Sequence, residues 1–264
     1  MAEPTPTQTD PVIDSMRWYH TLELPNGIVT AGEYDLRPVL ARLPIPPSLE
    51  GKRCIDIGGR DGFYAFDMER RGAAEVVSVD IDDPDDVHFP ATLEVAAEAV
   101  QEELDDGHRA FEAAREALRS SVKREMVSVY RLDPEVHGRF DYGVIGTLLL
   151  HLRDPIRALR AVREVVTGTL LINEPVVVGA DAFRRRPIAE LHMEGGPFWW
   201  ICNPAGLRRM TEAAGFRVID SSRPYLIPYG TGPTNARQQS GSLRDLPRRL
   251  VERRGCLHTW VLAE

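Results

Sequence analysis

The residues with the clearest chemistry stand in "CIDIGGRDGFYAF", residues 54–66. Asp56 sits two places before Gly58, and Gly59, Arg60 and Gly62 follow. Glycines at a strand-to-helix turn allow positive φ and let a ligand approach the backbone closely. The helix behind them offers free N–H groups at its start. A dinucleotide loop would read G-x-G-x-x-G and hold pyrophosphate there. Here an acid precedes the first glycine, which favours a ligand with a positive group, such as the amino end of a methionine moiety. Asp80 closes the next apolar run, "VVSVDIDD", where a carboxylate accepts hydrogen bonds from ribose hydroxyls. The glycines alone are also what a tight turn requires. The order strand, glycines, helix, strand, acid is what points to a nucleotide or nucleoside.

Further along, His151 lies in "LLLHLRDP", where an apolar run gives way to loop. It is a candidate proton acceptor, or a structural histidine at a helix cap. Glu174, in "INEP", could orient His151, bind sugar hydroxyls or pair with an arginine. His192 follows in "PIAELHMEGGPFWW". His151, Glu174 and His192 together have the composition of a divalent-metal site. Magnesium prefers oxygen ligands over imidazole, so no metal is expected. Trp199 and Trp200 end the same segment. Neighbouring side chains on an extended chain alternate, so one would stack on a sugar or base while the other packs inward. "RWYH", residues 17–20, offers Trp18, Tyr19 and His20 as parts of a lid.

The elements that must position these groups can be read from pattern. "KRCIDIGG", "AEVVSVDIDD", "MVSVYRL", "FDYGVIGTLLLHL" and "GTLLINEPVV" read as five strands. "YDLRPVLARL" reads as a short helix, and "GFYAFDMERRG", "EVAAEAVQEEL", "RAFEAAREALRSS", "DPIRALRAVREVV" and "PAGLRRMTEAAG" read as further helices. "FRVIDSS" and "CLHTWVLAE" are two last strands. Alternating strands and helices give a parallel sheet covered on both faces. The expected fold is α/β: a doubly wound, Rossmann-like sheet of about seven strands, mostly parallel, with an antiparallel terminal hairpin. Ligands of such sheets bind beyond the carboxyl ends of the strands.

The chain has 264 residues, 43% of them apolar, so one large domain with a real core is available. No apolar run reaches membrane-spanning length. "MAEPTPTQTDPVIDS" lacks a basic-then-apolar signal pattern and reads as a disordered leader. Cys54, Cys202 and Cys256 are too scattered for a disulfide framework or a zinc pattern, and a cytoplasmic location is expected. The net charge of −8 argues against broad nucleic-acid binding. "RRR" at 184–186 and "RDLPRRLVERRG" at 244–255 are the dense basic clusters, and a solvated face accounts for both. The apolar face of a helix at 243–251 could pair two copies into a homodimer or cover the terminal strand.

"CIDIGGRDGFYAF" resembles motif I of class I S-adenosylmethionine-dependent methyltransferases, "VVSVDIDD" their ribose-binding motif, and "FDYGVIGTLLLHLRDP" their fourth motif. The flanking "RWYHTLELPNGIVTAG" and "GGPFWWICNPAGLRRMTEAAGF" resemble the wobble-uridine tRNA methyltransferase-like branch. Arg60 departs from the glycine many members carry. The resemblance implies S-adenosylmethionine as cofactor. Asp56 and Gly58, Gly59, Arg60 and Gly62 would hold its methionine end and Asp80 its ribose. Ile81 and Leu132 would border adenine, and Gly146 and Thr147 would face the sulfonium. Tyr19, His20, Tyr64, His192, Trp199 and Trp200 are then expected on the acceptor side, with His151 and Glu174 catalytic. The domain plan is a leader at 1–15, a lid segment at 16–50 and the methyltransferase domain at 51–264. Inserts are placed near 179–202 and, basic, near 225–255. Relatives of this look include O-methyltransferases of methylated mannose polysaccharides, so the expected acceptor is a hydroxyl of a small molecule or oligosaccharide. A tRNA wobble uridine is the alternative. It would need phosphate-binding cations and, for a carboxylated donor, a cation such as Arg37.

Overall fold

Strand-forming apolar runs meet helix caps at regular intervals along this chain, and the fold follows from that alternation. The computed structural model describes residues 10–91, 93–177, 186–191, 198–233 and 254–264. It begins with a helical turn, α1 (Pro11–Asp14), capped by the Asp10 carboxylate. Two short parallel strands follow, β1 (Trp18–His20) and β2 (Gly32–Tyr34), then a 3-10 turn at Arg37–Arg42. The α/β core runs β3 (Arg53–Ile57), α2 (Phe63–Arg70), β4 (Glu75–Asp80), α3 (Ala97–Leu118), β5 (Lys123–Met126), α4 (Pro134–His137), β6 (Phe140–Gly146), α5 (Pro155–Val165) and β7 (Val166–Pro175). A hairpin of β8 (Ala189–Leu191) and β9 (Trp200–Cys202) precedes α6 (Pro204–Ala213). The chain closes with β10 (Val218–Ser221), β11 (Tyr225–Pro228) and β12 (Gly255–Ala263).

The main sheet has the order β10-β12-β7-β6-β3-β4-β5, with β11 also on β12. From β7 to β5 every pairing is parallel, and β12 runs antiparallel to β7, β10 and β11. This is the Rossmann-like sheet expected from the sequence, with an antiparallel finish. The order reverses between β3 and β6, so their carboxyl ends form the crevice where ligands of such sheets bind. Alternation divides the core. Cys54, Val144 and Leu171 pack toward α2 and α3, while Ile55, Ile145, Leu170 and Ile172 pack toward α5 and α6. Asp154 and Asn203 cap α5 and α6, each followed by proline in the first turn.

Local differences from the sequence reading have physical reasons. The third strand is Lys123–Met126, not the apolar run after it. It is the sheet edge, where charge is tolerated. The run Val127–Leu132 instead turns through a 3-10 segment and buries Val129 and Leu132 in the core. The two expected central helices are one, α3, continuous through Gly107. The stretch read as a leader holds the capped turn α1, with Ile13 buried and its carbonyl accepting from Trp18 Nε1 at 2.9 Å. β11 lies inside the stretch read as a basic insert. The helix expected at 243–251 lies outside the described residues, and among those described no helix is long and apolar enough to cross a membrane.

Ile172 is fully buried in the central strand β7. Ile172→Ala should destabilise the chain by about 2–5 kcal/mol in denaturant unfolding. A change near zero would mean that β7 is not the central strand described.

Candidate functional site

The glycine loop is held to β4 before any ligand arrives. Gly58 and Gly59 N–H both donate to the Val79 carbonyl, at 2.9 and 3.2 Å. Gly58 and Gly62 take φ of 76° and 86°, the left-handed region that glycine tolerates. A Cβ on Gly59 would run into Ser78 Oγ, a buried hydroxyl that has no hydrogen-bond partner. Asp80 Oδ2 accepts from Arg60 N at 2.8 Å and faces an Arg124 nitrogen at 3.3 Å, while Oδ1 accepts from Ile81 N at 2.9 Å. An ionised carboxylate has about four acceptor positions, so a ribose hydroxyl still finds one. Beneath the loop Asp56 accepts from Ala65 N at 3.1 Å, at the first turn of α2. Burial pushes its carboxyl up to about 7, against the pull of His20 and Arg124. Such a group welcomes a cation. Together the bare loop and the two carboxylates fit a nucleoside that carries an ammonium group.

Beside the loop a small pocket opens at the carboxyl ends of β6 and β7. It is lined by Gly146 and Thr147 after β6, Tyr64 from α2, His258 from β12, Ile227 from β11, and Tyr19, His20, Tyr34 and Leu36 from the N-terminal segment. Thr147 has φ 62°, rare for a β-branched residue. Its N–H donates to the Asn173 carbonyl at 2.9 Å and its hydroxyl meets His258 Nε2 at 3.2 Å. His258 Nδ1 donates to the Cys256 carbonyl at 3.2 Å, which leaves Nε2 to accept. Burial pushes this imidazole down to about 4, so it is neutral. Tyr64 packs where Gly146 lacks a Cβ. Its hydroxyl accepts from Asn173 Nδ2 at 3.0 Å, and Asn173 Oδ1 accepts from the Tyr225 hydroxyl at 2.7 Å.

The N-terminal segment is tied to the loop by Asp61. One oxygen accepts from the backbone N–H of Tyr19 and His20, at 2.8 and 2.7 Å, and the other lies 2.5 Å from His20 Nδ1. Asp61 is 1% exposed. Burial alone would raise its carboxyl, but the His20 ring and these donors hold it below the usual range.

The structure brings Asp56, Gly58, Gly59, Arg60, Gly62, Asp80 and Ile81 together around the loop, and Tyr19, His20, Tyr64, Gly146 and Thr147 around the pocket. Arg60 lies against Glu103, with its guanidinium 5.5 Å from the Tyr19 ring centre. Other expected site residues fall elsewhere. Glu174 is buried, and one of its oxygens accepts from Leu148 and Leu149 N–H, at 2.7 and 2.8 Å. It holds the turn after β6. His151 stands in that turn with its ring 5.2 Å from Phe198, and it does not line the pocket. Trp199 and Trp200 donate their indole N–H to the carbonyls of His88 and Arg153, at 2.8 and 3.2 Å, away from the pocket lining. Leu132 is part of the core. His192 lies outside the described residues. Among the described residues no cluster of His, Cys, Asp or Glu is arranged to hold a metal. Five polar residues went unread in the sequence: Tyr34, Asp61, Asn173, Tyr225 and His258. Only Asp61 carried a signal, as the acid between Arg60 and Gly62.

A family model described as a methyltransferase domain matches residues 30–221. Among solved structures, the N-terminal domain of EvdMO1, crystallised in the presence of SAH and D-fucose, superposes with a TM-score of 0.52 at 16% identity. That match covers 94% of this chain and 91% of the other. A putative S-adenosylmethionine dependent methyltransferase from Listeria monocytogenes matches with a TM-score of 0.50 at 10% identity, covering 86% and 95%. At these identities the likeness is one of fold. No curated protein matches the chain significantly.

The raised Asp56 carboxyl generates a prediction with a definite sign. An ammonium-bearing ligand binds best to ionised Asp56, so S-adenosylhomocysteine affinity should weaken as pH falls below about 7. The decline should approach about tenfold per pH unit. Calorimetric titrations above and below that pH measure it, and Asp56→Asn should flatten the dependence. A wild-type affinity indifferent to pH would remove Asp56 from the binding site.

Proposed function

The chain belongs to the methyltransferase-domain family, and within it we propose an enzyme that methylates a hydroxyl of a neutral small molecule, a sugar or short oligosaccharide such as a methylated mannoside. The cofactor is S-adenosylmethionine, which supplies an electrophilic methyl group on a sulfonium. Asp56 and the turn Gly58–Gly62 hold the amino-acid end, Asp80 holds the ribose, and Ile81 lies on the adenine side. Gly146 and Thr147 face the methyl. The protein's remaining task is to align the acceptor, exclude water and receive its proton.

The observation that carries the acceptor class is the pocket lining. Among the described residues it consists of tyrosines, imidazoles, a threonine, a glycine and aliphatic residues, with no lysine, arginine, aspartate or glutamate. Phosphates and carboxylates are bound by cations, and this lining provides none. Tyr19, Tyr34 and Tyr64 supply aromatic faces suited to a sugar ring. The empty space is about 250 Å³, open solvent included. The fold neighbour crystallised in the presence of D-fucose agrees with a sugar acceptor. A tRNA acceptor is disfavoured by the net charge of −8 and by Arg37, which is already paired with Asp35 and Glu23.

The test is S-adenosylhomocysteine release with partially methylated mannose oligosaccharides and with unmodified tRNA, side by side. Turnover is expected with the sugars and not with tRNA. Turnover with tRNA alone would overturn the neutral-acceptor reading.

A further inference from the structure

We propose that His20, oriented by Asp61, is the base that takes the proton from the acceptor hydroxyl. This inference rests on the methyl-transfer reading and names a catalytic group for it.

The imidazoles of the described residues separate by position. His258 lines the pocket, but both its nitrogens are engaged, one with Cys256 O and one with the Thr147 hydroxyl. His88 Nδ1 accepts from Arg153 N, and His137 pairs with Glu125 and its own turn, both outside the pocket lining. His108 and His151 do not line the pocket either. His20 does, alongside Gly146 and Thr147.

His20 is also prepared for the task. An ionised carboxylate only accepts, so the 2.5 Å contact with Asp61 places the proton on Nδ1. Nε2 then carries the lone pair, and no protein group among the described residues meets it. Asp61 cannot swing away, because its second oxygen is held by two backbone N–H groups of the same strand. A base oriented by a fixed carboxylate is the arrangement that stabilises an imidazolium once it forms. The ring is wedged between Tyr19, Phe63 and Tyr64, with centres 4.8, 5.3 and 6.2 Å away. In the transfer step the acceptor oxygen forms its bond to the methyl carbon. The carbon–sulfur bond breaks with its electron pair on sulfur, and the hydroxyl proton passes to Nε2. The positive charge leaves the sulfonium and reappears on the imidazolium beside Asp61. Asp61 is the positioning residue of the pair.

The test uses the full chain with two readouts. His20→Asn keeps an N–H donor for Asp61 and removes the Nε2 base. It should lower kcat by roughly 10²–10⁴-fold while S-adenosylhomocysteine still binds. The assay is run with whichever of the sugar and tRNA pools the wild type turns over, so a wrong acceptor class does not hide the result. The second readout needs no acceptor. The wild type should show a far-downfield Nδ1–H proton resonance, assigned by its loss in His20→Asn and absent in Asp61→Asn. Full activity in His20→Asn would overturn the proposal. So would a missing resonance in the wild type or its survival in Asp61→Asn. A selective collapse of turnover in His151→Gln, with His20→Asn active, would move the base to His151.

Discussion

A carboxylate with no access to water needs partners on every side, and Asp61 finds all of them in one short strand. It emerges from the glycine loop and accepts from the backbone of Tyr19 and His20 and from the His20 ring. An unpaired buried charge would cost several kcal/mol, so loop and strand are obliged to stay together. The rest of the site depends on that link. It sets β1 over the carboxyl ends of the sheet, brings Tyr19 and His20 to the pocket, and lets β2 add Tyr34 through its pairing with β1. Without it the glycine loop would still hold a nucleoside, but Tyr19 and His20 would lose their tie to that loop, while the chain around β2 stays fastened to the segment after β11 by Asp35 N–H to Pro228 O at 2.9 Å and Gly230 N–H to Glu33 O at 2.8 Å.

The floor of the site is made by alternation along β7. Asn173 and Glu174 are neighbours and therefore face opposite sides of the sheet. Asn173 joins the hydroxyls of Tyr64 and Tyr225, while Glu174 turns the other way and fastens Leu148 and Leu149. Between them the chain after β6 is forced into the positive φ of Thr147, which His258 secures from β12. Strain of this kind survives only where the surroundings over-determine it. Here the parallel core and the antiparallel finish of the sheet share the work.

The sheet and the loop were legible in the sequence because they rest on local pattern. Buried strands read as apolar runs, Asp154-Pro155 and Asn203-Pro204 announce helix starts, and the glycines with Asp56 and Asp80 sit at fixed offsets along a strand-turn-helix unit. Edge strand β5 was misplaced because its "KREM" has no apolar signature, while the apolar residues after it serve the core from a 3-10 turn. The pocket was harder to read because it is made by long-range pairs. His20 and Asp61 are 41 positions apart, Tyr64 and Asn173 are 109 apart, and Thr147 and His258 are 111 apart. No periodicity links such residues. The sequence shows that Glu174 and His151 stand at strand ends, but not that backbone N–H groups will claim the first or that the second will sit against Phe198.

Amide hydrogen exchange resolved to single residues tests the Asp61 link most directly, because the Tyr19 and His20 N–H groups have that carboxylate as their acceptor. The structure predicts that both amides exchange slowly in the ligand-free wild type, as slowly as Gly58 and Gly59 in the loop. In Asp61→Asn both should exchange much faster, with the central strands unchanged. Fast exchange of Tyr19 and His20 in the wild type would contradict the account, since the N-terminal strand would then not be fastened over the site.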